Sequence, residues 1–176
     1  MKIFKSFLLI SFVSILLLQN SSAMSDLFEQ SIDELREDIE RKHPINYLLL
    51  AVKLFEEDEK DEAVKWYYVG QIRFRAYLTA NPDLEPSGDP ALYSSLRYMI
   101  GTPINEYAGS EPDNWVLLID SALKWHSANP NYFTPKEKHR EIYKEIENGF
   151  KEFRDKVESS KDEIKRQRAE NGLENS

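Results

Sequence analysis

The chain has 176 residues, and its 31 Asp and Glu outnumber its 23 Lys and Arg, which gives a formal net charge of −8 at pH 7. A surface with this excess of negative charge does not favour binding to nucleic acid or to anionic lipid. The sequence contains no cysteine, which excludes a disulfide framework and cysteine-based nucleophilic catalysis.

The first 23 residues predict a cleavable secretory signal peptide. Lys2 and Lys5 precede an apolar run, 7–18, that is shorter than the roughly 20 residues of a membrane-spanning helix but typical of a signal sequence. Small residues then precede the junction of Ala23 and Met24, where we predict cleavage. We therefore expect an exported bacterial protein, periplasmic or secreted, without stable membrane insertion after cleavage. The alternative is a cytosolic protein whose translation begins at Met24.

Apolar residues recur at spacings of three and four along most of the remaining chain, and no window shows the alternation typical of a strand. We therefore predict an all-α domain of about six to seven helices. The third of these has the richest aromatic content and should be the central buried element. The predicted helices cover residues 25–42, 44–57, 61–78, 90–100, 103–108, 113–128 and 135–169.

Proline marks several of the predicted helix starts. A capping side chain followed by proline is typical of the first turn of a helix, where the missing N–H of proline has no consequence. Gly101 suits the end of a helix. The capping pairs are Asp89-Pro90, Thr102-Pro103 and Thr134-Pro135.

The final predicted helix carries a heptad pattern of apolar residues from Tyr143 to Ile164, with Ser160 at one position of the seam. Apolar content falls after Val157, so the distal half of this helix is predicted to project from the domain. The chain should therefore comprise a signal peptide, 1–23, a helical domain, 24–157, and the distal end of the last helix with a frayed tail, 158–176.

Residues 44–78 form a pair of predicted helices with small residues where the two would approach each other. Ala51 lies on the first helix, and Ala63 and Gly70 lie on the second. In this spacing the pair resembles one tetratricopeptide repeat, which implies two closely packed antiparallel helices. The turn glycine of that pattern is absent near Asp58, and no period of about 34 residues extends the match to a solenoid. The larger pattern residues are Tyr47, Leu50, Leu54 and Tyr67.

A wider set of motifs is similar to a group of small exported bacterial all-helical proteins. This resemblance implies export and a helical fold, and it implies no particular activity. The motifs are His43-Pro44 and the segments 61–64, 66–75 and 86–90.

Gln71, Arg73 and Arg75 are unusual because they interrupt an otherwise apolar, aromatic helix. Gln71 and Arg75 share a helix face, whereas Arg73 must point elsewhere. One interpretation is that each arginine lays its stem on an aromatic ring and pairs with an acid of the first helix, Glu34 or Glu37. The other is that one arginine lines a groove and binds a carboxylate or phosphate of a ligand.

Aromatic residues supply further candidate contacts. Trp66, Tyr67 and Tyr68 span about 200° of helical azimuth, so at least one ring must face another helix or a partner. Tyr132 and Phe133 precede the last predicted helix and could form an exposed contact. We therefore consider Trp66, Tyr132 and Phe133 as candidate partner contacts beside the polar group.

The sequence shows no pattern of a catalytic, metal or cofactor site. His43, His126 and His139 are far apart and lack a metal-ligand spacing, and no serine elbow or glycine-rich phosphate loop is present. His43 is predicted to be a helix-entry residue. The segment 105–107 could form a polar patch beside Asp89. We therefore name no catalytic residue, no metal ligand and no cofactor.

Together these features predict an exported, non-catalytic helical protein that binds another protein. The acidic surface suits a partner with a basic surface, and a concrete version is an immunity or inhibitor protein that blocks a secreted toxin or hydrolase. One alternative is an envelope adaptor or assembly factor that uses the long C-terminal helix as an arm. Another is an enzyme of a type that the sequence does not identify. A nucleic-acid partner is not expected.

Overall fold

The computed structural model describes residues 29–175, and every regular element within that range is helical, which confirms the predicted all-α class. The predicted signal peptide and the cleavage site between Ala23 and Met24 lie outside the described residues. Between residues 29 and 175 there are seven α-helices and one 3-10 turn. They are α1 (Ile32–Arg36), the 3-10 turn (Ile39–Arg41), α2 (Ile45–Glu56), α3 (Lys60–Ala80), α4 (Asp89–Ser110), α5 (Pro112–Ala128), α6 (Arg140–Ser159) and α7 (Lys161–Glu170).

Helix α3 is the central element, as predicted, and it packs against α2, α4, α5 and α6. Every residue from 66 to 74 is buried. A helix surrounded by other helices buries its whole circumference, which explains the aromatic content of this segment. The polar side chains of this segment are therefore held inside the protein or at the floor of a surface depression.

Helices α2 and α3 form the predicted close-packed hairpin. A Cβ atom at Gly70 would lie 2.8 Å from Leu48 Cδ2 and 3.0 Å from Tyr47 Cβ, so the two backbones approach closely only because residue 70 has no side chain. Asp58 occupies the turn with a φ of 64°. Aspartate tolerates this left-handed conformation better than most residues, which explains how the turn forms without glycine.

The first predicted helix is shorter than expected. Asp38 has a φ of 47°, a left-handed conformation that ends α1 and redirects the chain into the 3-10 turn. At its other end, α1 begins with a capping box: Ser31 N donates to Glu34 Oε2 at 2.8 Å, and Glu34 N donates to Ser31 Oγ at 3.3 Å. The prediction of one continuous helix to residue 42 was therefore wrong.

The two helices predicted on either side of Thr102-Pro103 are a single helix, α4. Pro103 lies inside it, and Thr102 Oγ1 donates to the carbonyl of Tyr98 at 3.1 Å. Ile100 and Ile104 are buried on the two sides of the proline. Because the same apolar face continues across this position, packing maintains the helix through a residue that usually interrupts one.

Gly101 does not end a helix. A Cβ atom at this position would lie 2.3 Å from Tyr67 Oη, a separation that real atoms do not tolerate. The missing side chain therefore lets the Tyr67 ring reach the backbone of α4, and the function of this glycine is close approach between α3 and α4.

The last predicted helix begins later than expected. Thr134 is buried, its N–H donates to Asn131 Oδ1 at 3.3 Å and its carbonyl accepts from Tyr143 Oη at 2.8 Å. These contacts use the backbone groups that a helix start would need, so residues 135–139 form turns and α6 begins at Arg140.

The predicted C-terminal arm is instead two helices, with the break at Ser160. Helix α7 packs against α4 and α5. Lys161 Nζ lies 2.7 Å from Asp113 Oδ1, and Arg168 Nη1 donates to the carbonyl of Glu106 at 2.7 Å. These contacts hold the segment after Val157 against the helical body, so it does not project from it. Across the described chain, none of the helices combines the length and the apolar character that a bilayer span requires.

Candidate functional site

A cleft of about 490 Å³ opens between α3, α4 and α6. Its volume lies within the range of roughly 300–1,000 Å³ that is usual for ligand pockets. Two of its walls are helix faces with residues at i, i+4 and i+8. Helix α3 contributes Tyr67, Gln71 and Arg75 with Tyr68, helix α4 contributes Arg97, Gly101 and Asn105 with Tyr98 and Thr102, and helix α6 contributes Gly149, Phe150 and Phe153.

Arg75 is a fixed positive charge in the cleft. Its Nε donates to Tyr93 Oη at 3.1 Å and its Nη2 donates to Gln71 Oε1 at 3.3 Å. The guanidinium carbon lies 5.2 Å from the centroid of the Phe150 ring. Among the residues that line the cleft there is no carboxylate, so no acidic group in the described structure neutralises Arg75 there.

Arg97 provides the second positive charge. Its side chain is exposed and has no hydrogen bond or ion pair with any residue from 29 to 175. Burial raises the pKa of Tyr67 to about 12, while the nearby guanidinium groups of Arg97 and Arg75 act in the opposite direction. Both cations line the cleft together with Tyr67, and this phenol is protonated at neutral pH.

Tyr68 forms the floor of the cleft. Trp115 Nε1 donates to Tyr68 Oη at 2.7 Å, and Tyr68 Oη donates to Asn105 Oδ1 at 2.8 Å. Because an indole N–H can only donate, the phenol must accept from it and pass its own hydrogen to Asn105. This chain of hydrogen bonds connects α5, α3 and α4 and fixes the orientation of the Asn105 amide.

Of the predicted polar group, Gln71 and Arg75 lie together in the cleft and Arg73 points to the opposite side of α3. Arg73 has no exposed surface. It donates to Tyr47 Oη and, at 3.3 Å, to the carbonyl of Asn129. Burial lowers the pKa of this arginine, although a guanidinium keeps its charge in proteins.

The predicted pairing of these arginines with an acid of the first helix was wrong. Glu34 instead accepts from Ser31 in the capping box of α1, and neither arginine forms an ion pair within the described structure. The predicted contact of arginine with aromatic rings is present. The guanidinium carbon of Arg73 lies 5.0 Å from the ring centroid of Tyr47 and 4.8 Å from that of Trp125.

The three aromatic candidates have different environments. Trp66 is buried and faces another helix, with its ring centroid 4.7 Å from that of Trp125. Tyr132 and Phe133 are exposed. The Arg41 guanidinium carbon lies 4.3 Å from the centroid of the Tyr132 ring. Phe133 packs edge-on against His43, with a distance of 5.0 Å between the two ring centroids.

His43 forms a hydrogen-bonded helix-entry motif. Its Nδ1 accepts from Ile45 N at 3.2 Å, its Nε2 lies 3.4 Å from Asp89 Oδ2, and Tyr77 Oη donates to the same oxygen at 2.8 Å. Burial lowers the pKa of His43, so the neutral ring predominates at neutral pH. Because both ring nitrogens already have partners, neither is free to act as a general base.

The segment 105–107 is not beside Asp89, because the two lie towards opposite ends of α4. Asn105 contributes to the cleft, and Tyr107 Oη donates to Asp61 Oδ1 at 2.9 Å. Among residues 29–175, no group of three or more His, Asp or Glu is placed to hold a metal ion.

A fully buried histidine lies between α5 and α6. His126 Nε2 lies 3.3 Å from Glu147 Oε1, and its ring stacks on Tyr143 with a centroid distance of 5.3 Å. Burial lowers the pKa of His126, and the positive charges of Lys136 and Arg73 act in the same direction. The contact with His126 lowers the pKa of Glu147. Both lowered pKa values are consistent with a neutral His126 imidazole that faces an ionised Glu147 carboxylate.

These lowered pKa values predict that the free energy of unfolding falls as the pH is reduced from 7.5 to 5.5. The unfolded chain binds protons at histidine near pH 6.5, whereas folded His126 and His43 bind them at lower pH, so acidification favours the unfolded state. Each histidine changes the free energy of unfolding by about 1.4 kcal/mol for every pH unit by which its pKa in the folded state lies below its pKa in the unfolded state. Urea unfolding at several pH values measures it.

His126→Gln should remove part of this pH dependence. The matched control is His139→Gln, since His139 precedes α6 and its ring has no carboxylate partner between residues 29 and 175. If the free energy of unfolding changes with pH equally in the wild type and in His126→Gln, the assignment of His126 as a buried neutral imidazole is contradicted.

Comparison with known proteins gives a curated relative whose description names no activity. A protein of Haemophilus influenzae, described as an uncharacterized protein, is 28% identical over 104 residues. The aligned region covers 58% of this chain and 40% of that protein, so the chain spans about two fifths of the length of the relative that it matches. No family model matches the chain. No solved structure matches it either.

Proposed function

We propose that the chain is an exported, non-catalytic helical protein that binds another protein through the surface around the α3–α4–α6 cleft. The observation that carries this proposal is the composition of the cleft and its rim. Tyr98 lines the cleft and is 80% exposed at its rim. Arginine, tyrosine and phenylalanine are among the residue types enriched at the centres of protein interfaces.

The polar groups of the cleft support binding rather than catalysis. They are guanidinium groups, amides and hydroxyls, and the pKa of Tyr67 is about 12. A general base that acts near neutral pH requires an imidazole, a carboxylate or an amine with a suitable pKa. His43 and His126 lie outside the cleft lining and already face acidic partners.

Among the proposed roles, an immunity or inhibitor protein receives more support than an adaptor. The adaptor role depends on a free C-terminal arm, whereas α7 packs against α4 and α5. The acidic exterior suits a partner with a basic surface, and the arginine-lined cleft adds one site of opposite charge. Such a protein would block a secreted toxin or hydrolase by covering its surface.

Site-specific photo-crosslinking in living bacteria tests the proposal. A benzophenone amino acid at position 98 should give an adduct of defined mass with one partner. The same group at Leu117, which is 64% exposed on α5 and lies outside the cleft, is the matched control and should not. Adducts of equal intensity at both positions, or none at position 98, would contradict the assignment of the cleft as the contact surface.

The same sample tests the proposed export. N-terminal sequencing of the protein from the periplasmic fraction should begin at Met24, because the predicted cut follows Ala23. Recovery in the cytosol with residues 1–23 attached, or with a start at Met24 and no exported pool, would overturn the proposed compartment.

A further inference from the structure

The free polar groups of the cleft are hydrogen-bond donors. Gln71 Oε1 accepts from Arg75, and Asn105 Oδ1 accepts from Tyr68, so each amide presents its NH₂ group without a partner among the described residues. Because a guanidinium can only donate, the contact with Arg75 orients the Gln71 oxygen towards it and the NH₂ group away from it. A ligand that satisfies these donors must supply acceptor oxygens.

Arg75 and Arg97 differ from the arginines that form ion pairs in the described structure. Arg154 pairs with Asp120 through contacts of 3.1–3.2 Å, and Arg166 pairs with Glu163. Arg75 and Arg97 have no carboxylate partner in residues 29–175, in a chain with 31 acidic residues. Two arginines beside unpaired amide donors are suited to bind a carboxylate.

The third wall adds an apolar surface with free space. Gly149 lies in the interior of α6, where glycine is unfavourable, and a Cβ atom there would meet nothing within 4 Å. Close helix packing therefore does not explain this glycine. Phe150 and Phe153 flank the space that it leaves in the cleft wall.

We infer that the cleft binds the side-chain carboxylate of an acidic residue in the partner protein, with an adjacent apolar side chain against Phe150 and Phe153. Arg97 and the amide groups of Gln71 and Asn105 bind the carboxylate, and Arg75 supplies the second positive charge. This inference rests on the proposed function, because it assigns the chemistry of the surface where the partner would bind.

A titration with two model peptides tests the inference. The probes are N-acetyl-Phe-Glu-amide and N-acetyl-Phe-Gln-amide, which differ in one carboxylate. NMR of the purified full-length mature protein should show saturable shifts of the Gly101 and Gly149 amides and of the Trp115 indole N–H. We expect at least fivefold tighter binding of the Glu peptide, because its carboxylate binds the arginines.

Arg97→Gln should abolish this preference without affecting the fold, because the exposed Arg97 side chain forms no hydrogen bond or ion pair among the described residues. The matched control is Arg140→Gln, an exposed arginine at the start of α6, which should leave the preference unchanged. Equal binding of both peptides, no binding of the Glu peptide, or an unchanged preference in Arg97→Gln would overturn the inference.

A third arm uses inorganic phosphate. If phosphate shifts the same resonances and binds more tightly than the Glu peptide, the ligand of the cleft is a phosphate group rather than a carboxylate, and the inference is overturned. The titrations contain no partner protein, so their failure is distinguishable from failure of the crosslinking experiment. If crosslinking at position 98 gives an adduct but the titration shows no preference for the Glu peptide, the proposal of protein binding stands and the inference of a bound carboxylate is rejected.

Discussion

Replacing Arg73 by alanine is expected to lower the free energy of unfolding by about 3–5 kcal/mol, the range for removal of a large buried side chain. Arg73 has no exposed surface and its guanidinium packs against the rings of both Tyr47 and Trp125. Alanine would leave a cavity beside these rings and would remove the donor to the carbonyl of Asn129. Equilibrium unfolding in urea measures the change.

Arg73→Met separates the packing contribution from the charge. Methionine keeps most of the side-chain volume against the two rings and removes a buried cation that has no carboxylate partner within residues 29–175. Tyr47 Oη still donates to the carbonyl of Ile39 at 2.8 Å. Replacing a buried charge by an apolar group of similar volume often has little effect on stability, so we expect less than half of the loss seen with alanine. An equal loss in both variants would show that the charge dominates.

Replacing Gly70 by alanine is expected to lower the free energy of unfolding by about 1–3 kcal/mol. Alanine favours a helix over glycine by up to about 1 kcal/mol. The added Cβ atom would, however, lie 2.8 Å from Leu48 Cδ2 and 3.0 Å from Tyr47 Cβ. Because both neighbours are buried in α2, the clash separates the two helices and exceeds the gain in helix propensity.

Gly149→Ala is the matched control for this substitution. It makes the same chemical change inside a helix, but the new Cβ atom meets nothing within 4 Å. We therefore expect the free energy of unfolding to rise by about 0.5–1 kcal/mol. Stabilisation by both variants in the same urea series would contradict the close approach of α2 and α3 at Gly70.

The sequence predicted the fold class and the central position of α3 because helical periodicity is local and reports burial directly. The hairpin of α2 and α3 could be predicted for the same reason. Helix ends were less predictable. Asp38 and Asp58 adopt left-handed conformations, which depend on the path of the chain around them, and the helix breaks at Ser160 although the heptad pattern of the sequence continues across it.

The cleft was only half predicted. Gln71 and Arg75 were expected on one helix face, since their spacing is four residues. The opposite wall was missed because Gly101 and Pro103 predicted a helix boundary, which would place Arg97 and Asn105 on different helices. Once α4 is continuous, these residues are four positions on either side of Gly101 and share one face. The tertiary packing of Ile100 and Ile104 keeps α4 continuous and thereby forms this wall of the cleft. Local sequence patterns do not predict such packing.

The fixed position of Arg75 has a consequence for the kinetics and entropy of binding. Its guanidinium is held by Tyr93 and Gln71 and lies over Phe150 before any ligand arrives. Ordering a flexible side chain at an interface opposes association by about 0.5–1.5 kcal/mol, and folding has already ordered this one. The position of Arg75 should therefore differ little between the free and the bound cleft, and this side chain adds no slow conformational step to association.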